Sequence, residues 1–374
     1  MSHRQYSRTI LTRLHEPPVV KRLSLPAGRR ILAVSDIHGQ LDYLKGVLQK
    51  AAFGPDDTLI IVGDMLEKGP DPLGTLRYIM ALVEQYDVQV VCGNCDFWQD
   101  FCDNEPDAKM DEWYIQYLVG KNRGWGDGLI AQMLHALGIP IAPDMDLDAA
   151  KRAVKEAFVP EFDFLRALPH IIETDDYIFV HSAYLPRQGA FACMKTDEYR
   201  TVAEPHEKWT IVGHWPLVLY GGSITCAQPI IDRDLKLISI DGGCVLKDDG
   251  QLNALVLPSM DCISYDRFPT RRVPEAQRES ERHYYIRHGD NRVALLGGDD
   301  EFIRVRHLRT GYEMETLREN LLRQEADGTW LINDCTDYRI PLSPGDEISV
   351  VRITSRGVQC KYHGISGWYD GKLE

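Results

Sequence analysis

Several short apolar runs in this chain are each followed at once by residues that can bind a metal ion. The runs are rich in β-branched residues, a pattern typical of buried strands. In open α/β sheets, ligands bind beyond the carboxyl ends of the strands, so the sequence predicts that these residues meet in one metal site. The runs, each with the residues that follow it, are Ile31–Ser35 with Asp36 and His38, Leu59–Val62 with Asp64, Val88–Val91 with Asn94, Tyr177–Val180 with His181, and Thr210–Val212 with His214.

The segments between the first three runs have the periodicity of helices. Leu41, Leu44 and Leu48 form one apolar stripe, and Leu73 and Leu76 begin another. Strands that alternate with helices predict βαβ units and a parallel sheet.

Two later apolar runs flank a glycine-rich segment. We expect these runs, Leu237–Ile240 and Asn253–Leu257, to pair as a hairpin. Such a pair suggests a second sheet that packs on the first.

The chain is too long for one ordinary domain, at 374 residues. We predict an N-terminal arm (1–28), a main α/β domain (29–263) with a mostly helical insertion (about 97–168), a linker (264–292) and a small all-β domain (293–374). The linker is charged and poor in apolar residues. The last region alternates short apolar runs with closely spaced turns, which predicts a small barrel.

Net charge and cysteine content narrow the classes of partner and compartment. The formal net charge of −14 argues against a broad nucleic-acid-binding surface, because phosphate backbones attract basic surfaces. No apolar run is long enough to span a membrane, and the N-terminus lacks the apolar stretch of a secretory signal. The 9 cysteines lack the spacing of a disulfide framework, so we expect reduced thiols and a cytoplasmic protein without a membrane partner.

The candidate ligands form a mixed oxygen and nitrogen set of two carboxylates, three imidazoles and one carboxamide. This set suits Mn²⁺, Fe²⁺ or Zn²⁺ and lacks the thiolates of a structural zinc site. Six ligands are too many for one catalytic ion with an open position, whereas two ions that share a carboxylate use them all. We expect Asp64 to be the shared ligand and a hydroxide between the ions to attack phosphorus in line, which predicts hydrolysis of a phosphate ester.

Taken in order, these motifs resemble those of the calcineurin-like metallophosphoesterases, over about residues 29–258. Several of them are similar to the phosphoprotein-phosphatase branch, whose bacterial members include serine/threonine phosphatases and symmetrical diadenosine tetraphosphatases. The resemblance implies an α/β fold of two mixed β-sheets packed as a sandwich and flanked by helices. It also implies a phosphoprotein or a dinucleoside polyphosphate as the substrate. The motifs that carry it are Asp36-x-His38-Gly39, Gly63-Asp64 with Gly69-Pro70, Gly93-Asn94-x-Asp96, His181, Gly213-His214 and Ile240–Val245.

The resemblance further implies how the ligands divide between two divalent ions, with Mn²⁺ as the first expectation and Fe or Zn as alternatives. One ion is expected on Asp36, His38 and Asp64, and the other on Asp64, Asn94, His181 and His214.

The chain departs from the family pattern next to two of the ligands. Cys95 and Asp96 follow Asn94 where the family usually has His-Glu, and a thiol is a weaker hydrogen-bond donor toward a leaving group. Lys68 stands where the family has Arg, so it offers charge to a phosphate without the bidentate fork of a guanidinium. The candidate catalytic residues are Asp64, Lys68, Asn94, Cys95 and Asp96.

Two alternatives to a phosphatase remain open at this point. An Asn-Cys-Asp sequence is similar to that of small phosphodiesterases of the same superfamily, which favours diesters. The chain could instead be a weakly active scaffold whose C-terminal region, which resembles a Src-homology-3-like barrel, binds a peptide. In that region Tyr362, Trp368 and Tyr369 either line a peptide groove or fill a small core.

Overall fold

The computed structural model describes residues 16–103, 108–121, 126–185 and 188–373. Residues 1–15 of the predicted N-terminal arm lie outside this range. The chain divides into two compact units. The first extends to Pro216 and also includes Pro229–Leu246 and Gly250–Tyr265, and the second contains Leu217–Gln228, Lys247–Asp249 and the chain from Asp266 onward.

The first unit contains two mixed β-sheets. Its strands are β1 (Val20–Arg22), β2 (Arg30–Val34), β3 (Asp57–Val62), β4 (Asp87–Val91), β5 (Ile171–Glu173), β6 (Tyr177–Val180), β7 (Trp209–Val212), β8 (Ile230–Asp232), β9 (Leu237–Ser239), β10 (Leu252–Leu257) and β11 (Asp261–Tyr265). One sheet has the order β11-β10-β2-β3-β4, and the other has the order β1-β5-β6-β7-β9-β8. β2, β3 and β4 are parallel to one another, as are β6, β7 and β9.

The two sheets pack face to face through one buried apolar cluster. Ala33, Ile60 and Val62 of the first sheet meet Phe179 and Ile211 of the second in this cluster. The opposite face of the first sheet packs against the helices. A pair of mixed sheets flanked by helices is therefore confirmed as the fold class of this unit.

Eight α-helices lie in the described part of the first unit. They are α1 (Leu41–Lys50), α2 (Pro72–Gln85), α3 (Gln99–Asp103), α4 (Ala108–Gln116), α5 (Leu129–Ala136), α6 (Leu147–Ala157), α7 (Val159–Arg166) and α8 (Ala190–Met194), and a π-helical turn spans Tyr117–Lys121. The start of α2 is fixed by its sequence, because the Asp71 carboxylate accepts a hydrogen bond from Gly74 N and Pro72 occupies the first turn. Among the helices of the described residues, none combines the length and the apolar character that a membrane-spanning helix needs.

The expected hairpin of Leu237–Ile240 with Asn253–Leu257 is wrong. β9 pairs with β7 and β8 in the six-stranded sheet, whereas β10 pairs with β2 and β11 in the five-stranded sheet. Both runs are apolar because each strand has side chains in the buried interior of the sandwich. Burial in the same interior gives the two strands the same apolar pattern, although they are not paired with each other.

The second unit is built mainly of strands. They are β12 (Thr270–Arg272), β13 (Tyr285–Ile286), β14 (Arg292–Gly298), β15 (Phe302–His307), β16 (Glu313–Leu317), β17 (Leu321–Gln324), β18 (Trp330–Ile332), β19 (Cys335–Thr336), β20 (Glu347–Thr354), β21 (Gly357–Tyr362) and β22 (Ile365–Tyr369). They form sheets of four, two and five strands, in the orders β12-β20-β21-β22, β13-β19 and β16-β15-β14-β18-β17. The segment 264–292, predicted as a linker, thus contains β12 and β13. The likeness to a Src-homology-3-like barrel stays a prediction.

The C-terminal aromatic residues differ in their exposure. Trp368 and Tyr369 are 6% and 1% exposed, and Trp368 donates a hydrogen bond from Nε1 to Thr336 O. Tyr362 is half-buried and packs against the cluster that contains Tyr369. Trp368 and Tyr369 therefore fill apolar cores. This agrees with the alternative that these aromatic residues fill a small core, and not with the one that they line a peptide groove.

Candidate metal centre

The candidate ligands lie at the carboxyl ends of strands from both sheets. Asp36 and His38 follow β2, and Asp64 follows β3, within a sheet where these strands are parallel. His181 and His214 follow β6 and β7 of the facing sheet. The loop after β7 is hydrogen-bonded to the loop after β2 in the other sheet, since His214 N donates to Asp36 Oδ2 at 2.9 Å. The sandwich thus brings the ends of strands from two sheets to one place.

The backbone adopts left-handed conformations at several of these residues. Asp36, His38, Asp64 and His214 have φ values of 55°, 50°, 50° and 67°. Residues other than glycine rarely adopt such φ values, and the exceptions cluster at sites where the surrounding structure holds a functional geometry.

Gly93 is required for a different reason, since a Cβ atom there would lie 2.3 Å from Asp64 Oδ1. The loop after β4 therefore needs glycine to approach the Asp64 carboxylate.

Each of the three imidazoles has one nitrogen held by a partner outside the centre. Nδ1 of His38 lies 3.2 Å from Leu66 O, and Nδ1 of His181 lies 2.9 Å from Val62 O. Nε2 of His214 lies 2.9 Å from Asp197 Oδ1. Metal-binding histidines are held in this way, because the outer hydrogen bond fixes the tautomer and leaves the other nitrogen free to bind an ion.

The remaining nitrogens point to the Asp64 carboxylate or to Asn94. Nε2 of His38 is 3.7 Å from Asp64 Oδ2, and Nε2 of His181 is 3.3 Å from Asp64 Oδ1. Nδ1 of His214 is 3.0 Å from the side-chain amide of Asn94. The two oxygens of Asp64 thus face two different histidines.

Two groups of ligand atoms could each hold a metal ion within the part of the chain that the structure describes. One group consists of Asp64, His181 and His214. The other consists of His38, Asp64 and Cys95. Within each group the ligand atoms lie within 4.8 Å of one another. Asp36 belongs to neither group, although its Oδ1 lies 3.7 Å from His38 Nε2. Asp64 is common to both.

The electrostatics of the centre favour bound cations. Burial raises the pKa of Asp36 to about 6. Burial opposes protonation of His181, but the carboxylates of Asp64 and Asp36 outweigh it and raise the pKa of His181 to about 9. Among the described residues, the buried Asp36 Oδ1 has no hydrogen-bond partner, and His181 Nε2 has none of good geometry, although it lies 3.3 Å from Asp64 Oδ1. Buried polar atoms normally have one, so these two atoms fit a divalent ion as their partner.

Lys68 reaches into the same centre. Its Nζ lies 3.2 Å from His38 Nε2. Burial opposes the charged form, but the neighbouring Cys95 and Asp64 help to raise the pKa of Lys68. Its neighbour Glu67 accepts hydrogen bonds from Leu129 N, at 2.8 Å, and from the Tyr117 hydroxyl. The helical insertion is thereby tied to the loop that carries the lysine.

The three residues that follow β4 and Gly93 have different surroundings. Asn94 contacts His214, and Cys95 places its Sγ in the group with His38 and Asp64. Asp96 is fully buried, and its carboxylate accepts hydrogen bonds from the backbone N–H groups of Met65, Leu66 and Gly93. These distances are 2.9, 3.1 and 2.9 Å. The contacts of Asp96 are those of a brace between two loops, and its catalytic role stays a prediction.

Sequence reasoning missed two aspartates at the centre. Asp241 follows β9 by two residues, is 1% exposed and has an Oδ2 without a partner in the described structure. Burial and the neighbouring Asp36 raise its pKa well above the usual range. Its position after a strand was a usable signal. Asp197, the partner of His214, lies in a loop beyond α8, where the sequence carries no such signal.

A family model, several curated proteins and several solved structures are similar to this chain. The family model for calcineurin-like phosphoesterases matches residues 29–232. The chain is 32% identical over 138 residues to a symmetrical bis(5'-nucleosyl)-tetraphosphatase of Photorhabdus laumondii subsp. laumondii, which is 33% of this chain and 48% of that protein. A symmetrical bis(5'-nucleosyl)-tetraphosphatase of Pectobacterium atrosepticum is 42% identical over 64 residues, which is 17% of this chain and 22% of that protein.

The chain spans about half, or less, of the length of these curated relatives. Among solved structures, it is similar to a protein serine/threonine phosphatase from Saccharomyces cerevisiae, at 13% identity and a TM-score of 0.39. That similarity covers 68% of this chain and 85% of the yeast protein.

Proposed function

The chain belongs to the calcineurin-like phosphoesterase family, and on that premise we propose that it hydrolyses phosphate esters or anhydrides with the help of two divalent metal ions. The substrate class that we propose is a dinucleoside polyphosphate, because the curated relatives are symmetrical bis(5'-nucleosyl)-tetraphosphatases. A phosphoprotein is the second candidate. Mn²⁺ as the metal and a cytoplasmic location belong to the same proposal, and the 9 free thiols support a reducing compartment.

The shared position of Asp64 carries the two-ion proposal. Its Oδ2 faces His38 and its Oδ1 faces His181, and the carboxylate belongs to both groups of ligand atoms. A carboxylate between two ligand groups is the arrangement expected of a two-ion hydrolytic site. When bound, the ions would neutralise charge on the phosphoryl oxygens and lower the pKa of a water molecule between them.

The protein groups around the ions would bind and orient the substrate. The Lys68 ammonium lies 3.2 Å from His38 Nε2 and would neutralise a further phosphoryl oxygen. His214 is oriented by Asp197 and would hold an ion together with His181. The hydrogen bonds between Glu67 and the insertion would keep Lys68 in place, because Lys68 directly follows Glu67 in the chain.

A substrate panel tests this proposal. The full chain with added Mn²⁺, Fe²⁺ or Zn²⁺ is assayed on diadenosine tetraphosphate, a phosphopeptide, a simple phosphomonoester and a phosphodiester. We expect diadenosine tetraphosphate to be cleaved with the highest kcat/KM. Preference for the phosphopeptide would support the second candidate, and preference for the diester would support a phosphodiesterase. Absence of turnover on every substrate with every metal would refute a hydrolase.

Replacing Lys68 with glutamine should weaken transition-state binding. Loss of one charge-assisted hydrogen bond removes about 1.5–3 kcal/mol, so kcat/KM should fall roughly ten- to a hundredfold. Steady-state kinetics on the best substrate of the panel measure this. Lys45→Gln, at an exposed position on α1, is the matched control and should leave kcat/KM unchanged. An unchanged kcat/KM for Lys68→Gln would show that the lysine does not face the substrate.

Replacing Asp197 with alanine should weaken one of two metal-binding events. His214 Nε2 would lose its acceptor at 2.9 Å, and loss of such an outer partner lowers metal affinity by about ten- to a hundredfold. Asp197→Asn keeps an acceptor oxygen and should lose less. Calorimetric titration of the metal-free protein with Mn²⁺ measures both events, with Asp234→Ala as an exposed control. Equal affinities for Asp197→Ala and the wild type would contradict the role.

A further inference from the structure

Cys95 lies among the ligand atoms of one metal group. Its Sγ is within 4.8 Å of ligand atoms of both His38 and Asp64, and the residue is 7% exposed. We infer that Cys95 is a ligand of the ion held by His38 and Asp64, which gives this ion a sulfur donor. The inference rests on the proposed two-ion centre.

The backbone fixes the position of this thiol. Cys95 N donates a hydrogen bond to Asp64 Oδ1 at 2.7 Å, and the carboxylate of Asp96 accepts one from Gly93 N at 2.9 Å. Gly93, Cys95 and Asp96 of this turn are buried, and Gly93 has no room for a Cβ atom because Asp64 lies against it. A ligand on a turn that is held at both ends is placed with little freedom.

The surroundings of Cys95 already stabilise a cation. The Lys68 ammonium lies 3.2 Å from His38 Nε2, the nitrogen that we assign to the ion. The Asp64 carboxylate belongs to the same group, with its Oδ2 3.7 Å from His38 Nε2. A cation is therefore already held beside the group that includes Cys95.

A sulfur donor changes which ion the group prefers. Thiolate ligands favour Zn²⁺ and similar ions, whereas Mn²⁺ prefers carboxylate, carbonyl and water ligands. A thiol that coordinates an ion is deprotonated, so binding would release its proton to the solvent. The two groups would then differ in metal preference, because Asp64, His181 and His214 contribute only oxygen and nitrogen.

The chain contains its own control for this inference. Cys92 is 2% exposed and lies three residues before Cys95, but its Sγ contacts Gly93 O at 3.5 Å and it belongs to neither ligand group. Cys92 packs in the large apolar cluster under the sheet. A test that responds to any buried thiol in this loop would therefore respond to both cysteines.

Titration of the metal-free full chain with Co²⁺ tests the inference. We expect a sulfur-to-cobalt charge-transfer band in the near-ultraviolet that saturates at one Co²⁺ per chain. The band should disappear in Cys95→Ala and persist in Cys92→Ala. Absence of the band in the wild type at saturating Co²⁺, or its persistence in Cys95→Ala, would overturn the inference. Thermal unfolding of the metal-free variants establishes that each is folded.

Metal competition gives a second and independent measurement. Cys95→Ala should lose at least about tenfold in Zn²⁺ affinity at one site and change less than about threefold in Mn²⁺ affinity. Equal losses for both metals would overturn the sulfur preference. Neither measurement depends on hydrolysis, so failure of the ligand role and failure of the proposed function are distinguishable. Hydrolysis without the band overturns only the inference, and the band without hydrolysis overturns only the function.

Discussion

Replacing Asp64 with asparagine should reduce hydrolysis by about a thousandfold or more while the protein stays folded. Each metal ion is worth several kcal/mol of transition-state stabilisation, and each 1.36 kcal/mol changes a rate tenfold. Asparagine has the same shape and can still accept the hydrogen bond from Cys95 N. It lacks the negative charge that faces both His38 and His181. Because both ligand groups share this carboxylate, one substitution should impair both ions.

Steady-state kinetics, metal content and urea unfolding of Asp64→Asn together test this expectation. Metal content should fall below that of the wild type. The metal-free variant should still unfold in one cooperative urea transition, at a lower urea concentration because the buried His181 loses the Asp64 carboxylate. Asp87→Asn is the matched control, because Asp87 lies at the amino end of β4, away from the carboxyl ends that form the centre. Near-normal turnover by Asp64→Asn would refute the two-ion arrangement.

The predictable part of the centre follows from strand topology. A short apolar run that ends in a ligand is readable in sequence, and parallel strands place their carboxyl ends together. This argument brought Asp36, His38, Asp64 and His181 to one region of the fold, which is where the structure has them. Applied once more, it would have included Asp241, which follows β9 in the same way.

Contacts that depend on side-chain direction and on sheet membership could not be predicted. Leu237–Ile240 and Asn253–Leu257 have the same apolar pattern, yet they lie in different sheets, because burial does not specify a partner strand. Asp197 approaches His214 from a loop whose path the sequence does not indicate. The sequence pattern places Cys95 where the family usually has a histidine, and only the three-dimensional structure shows that its Sγ lies near His38.

Asp96, the fifth residue after β4, illustrates the same limit and gives the second large expected effect. Asp96 is fully buried, and three backbone N–H groups, those of Met65, Leu66 and Gly93, donate to its carboxylate. In Asp96→Ala these donors would lose their acceptor. An unsatisfied buried donor costs about 1–3 kcal/mol, so the free energy of unfolding should fall by about 3 kcal/mol or more. Hydrolysis should fall as well, since the loop after Asp64 would lose its brace.

Urea unfolding and kinetics, measured on the same samples, separate a structural from a chemical role for Asp96. Asp96→Ala should lose both stability and activity, because three buried N–H groups lose their acceptor. Asp96→Asn should be intermediate in stability, because one carboxamide oxygen still accepts from Met65 and Leu66 while the amide nitrogen faces Gly93 N. If Asp96→Ala unfolds at the wild-type urea concentration but loses hydrolysis, Asp96 acts in the chemistry, and the brace between the two loops does not contribute to stability as we expect.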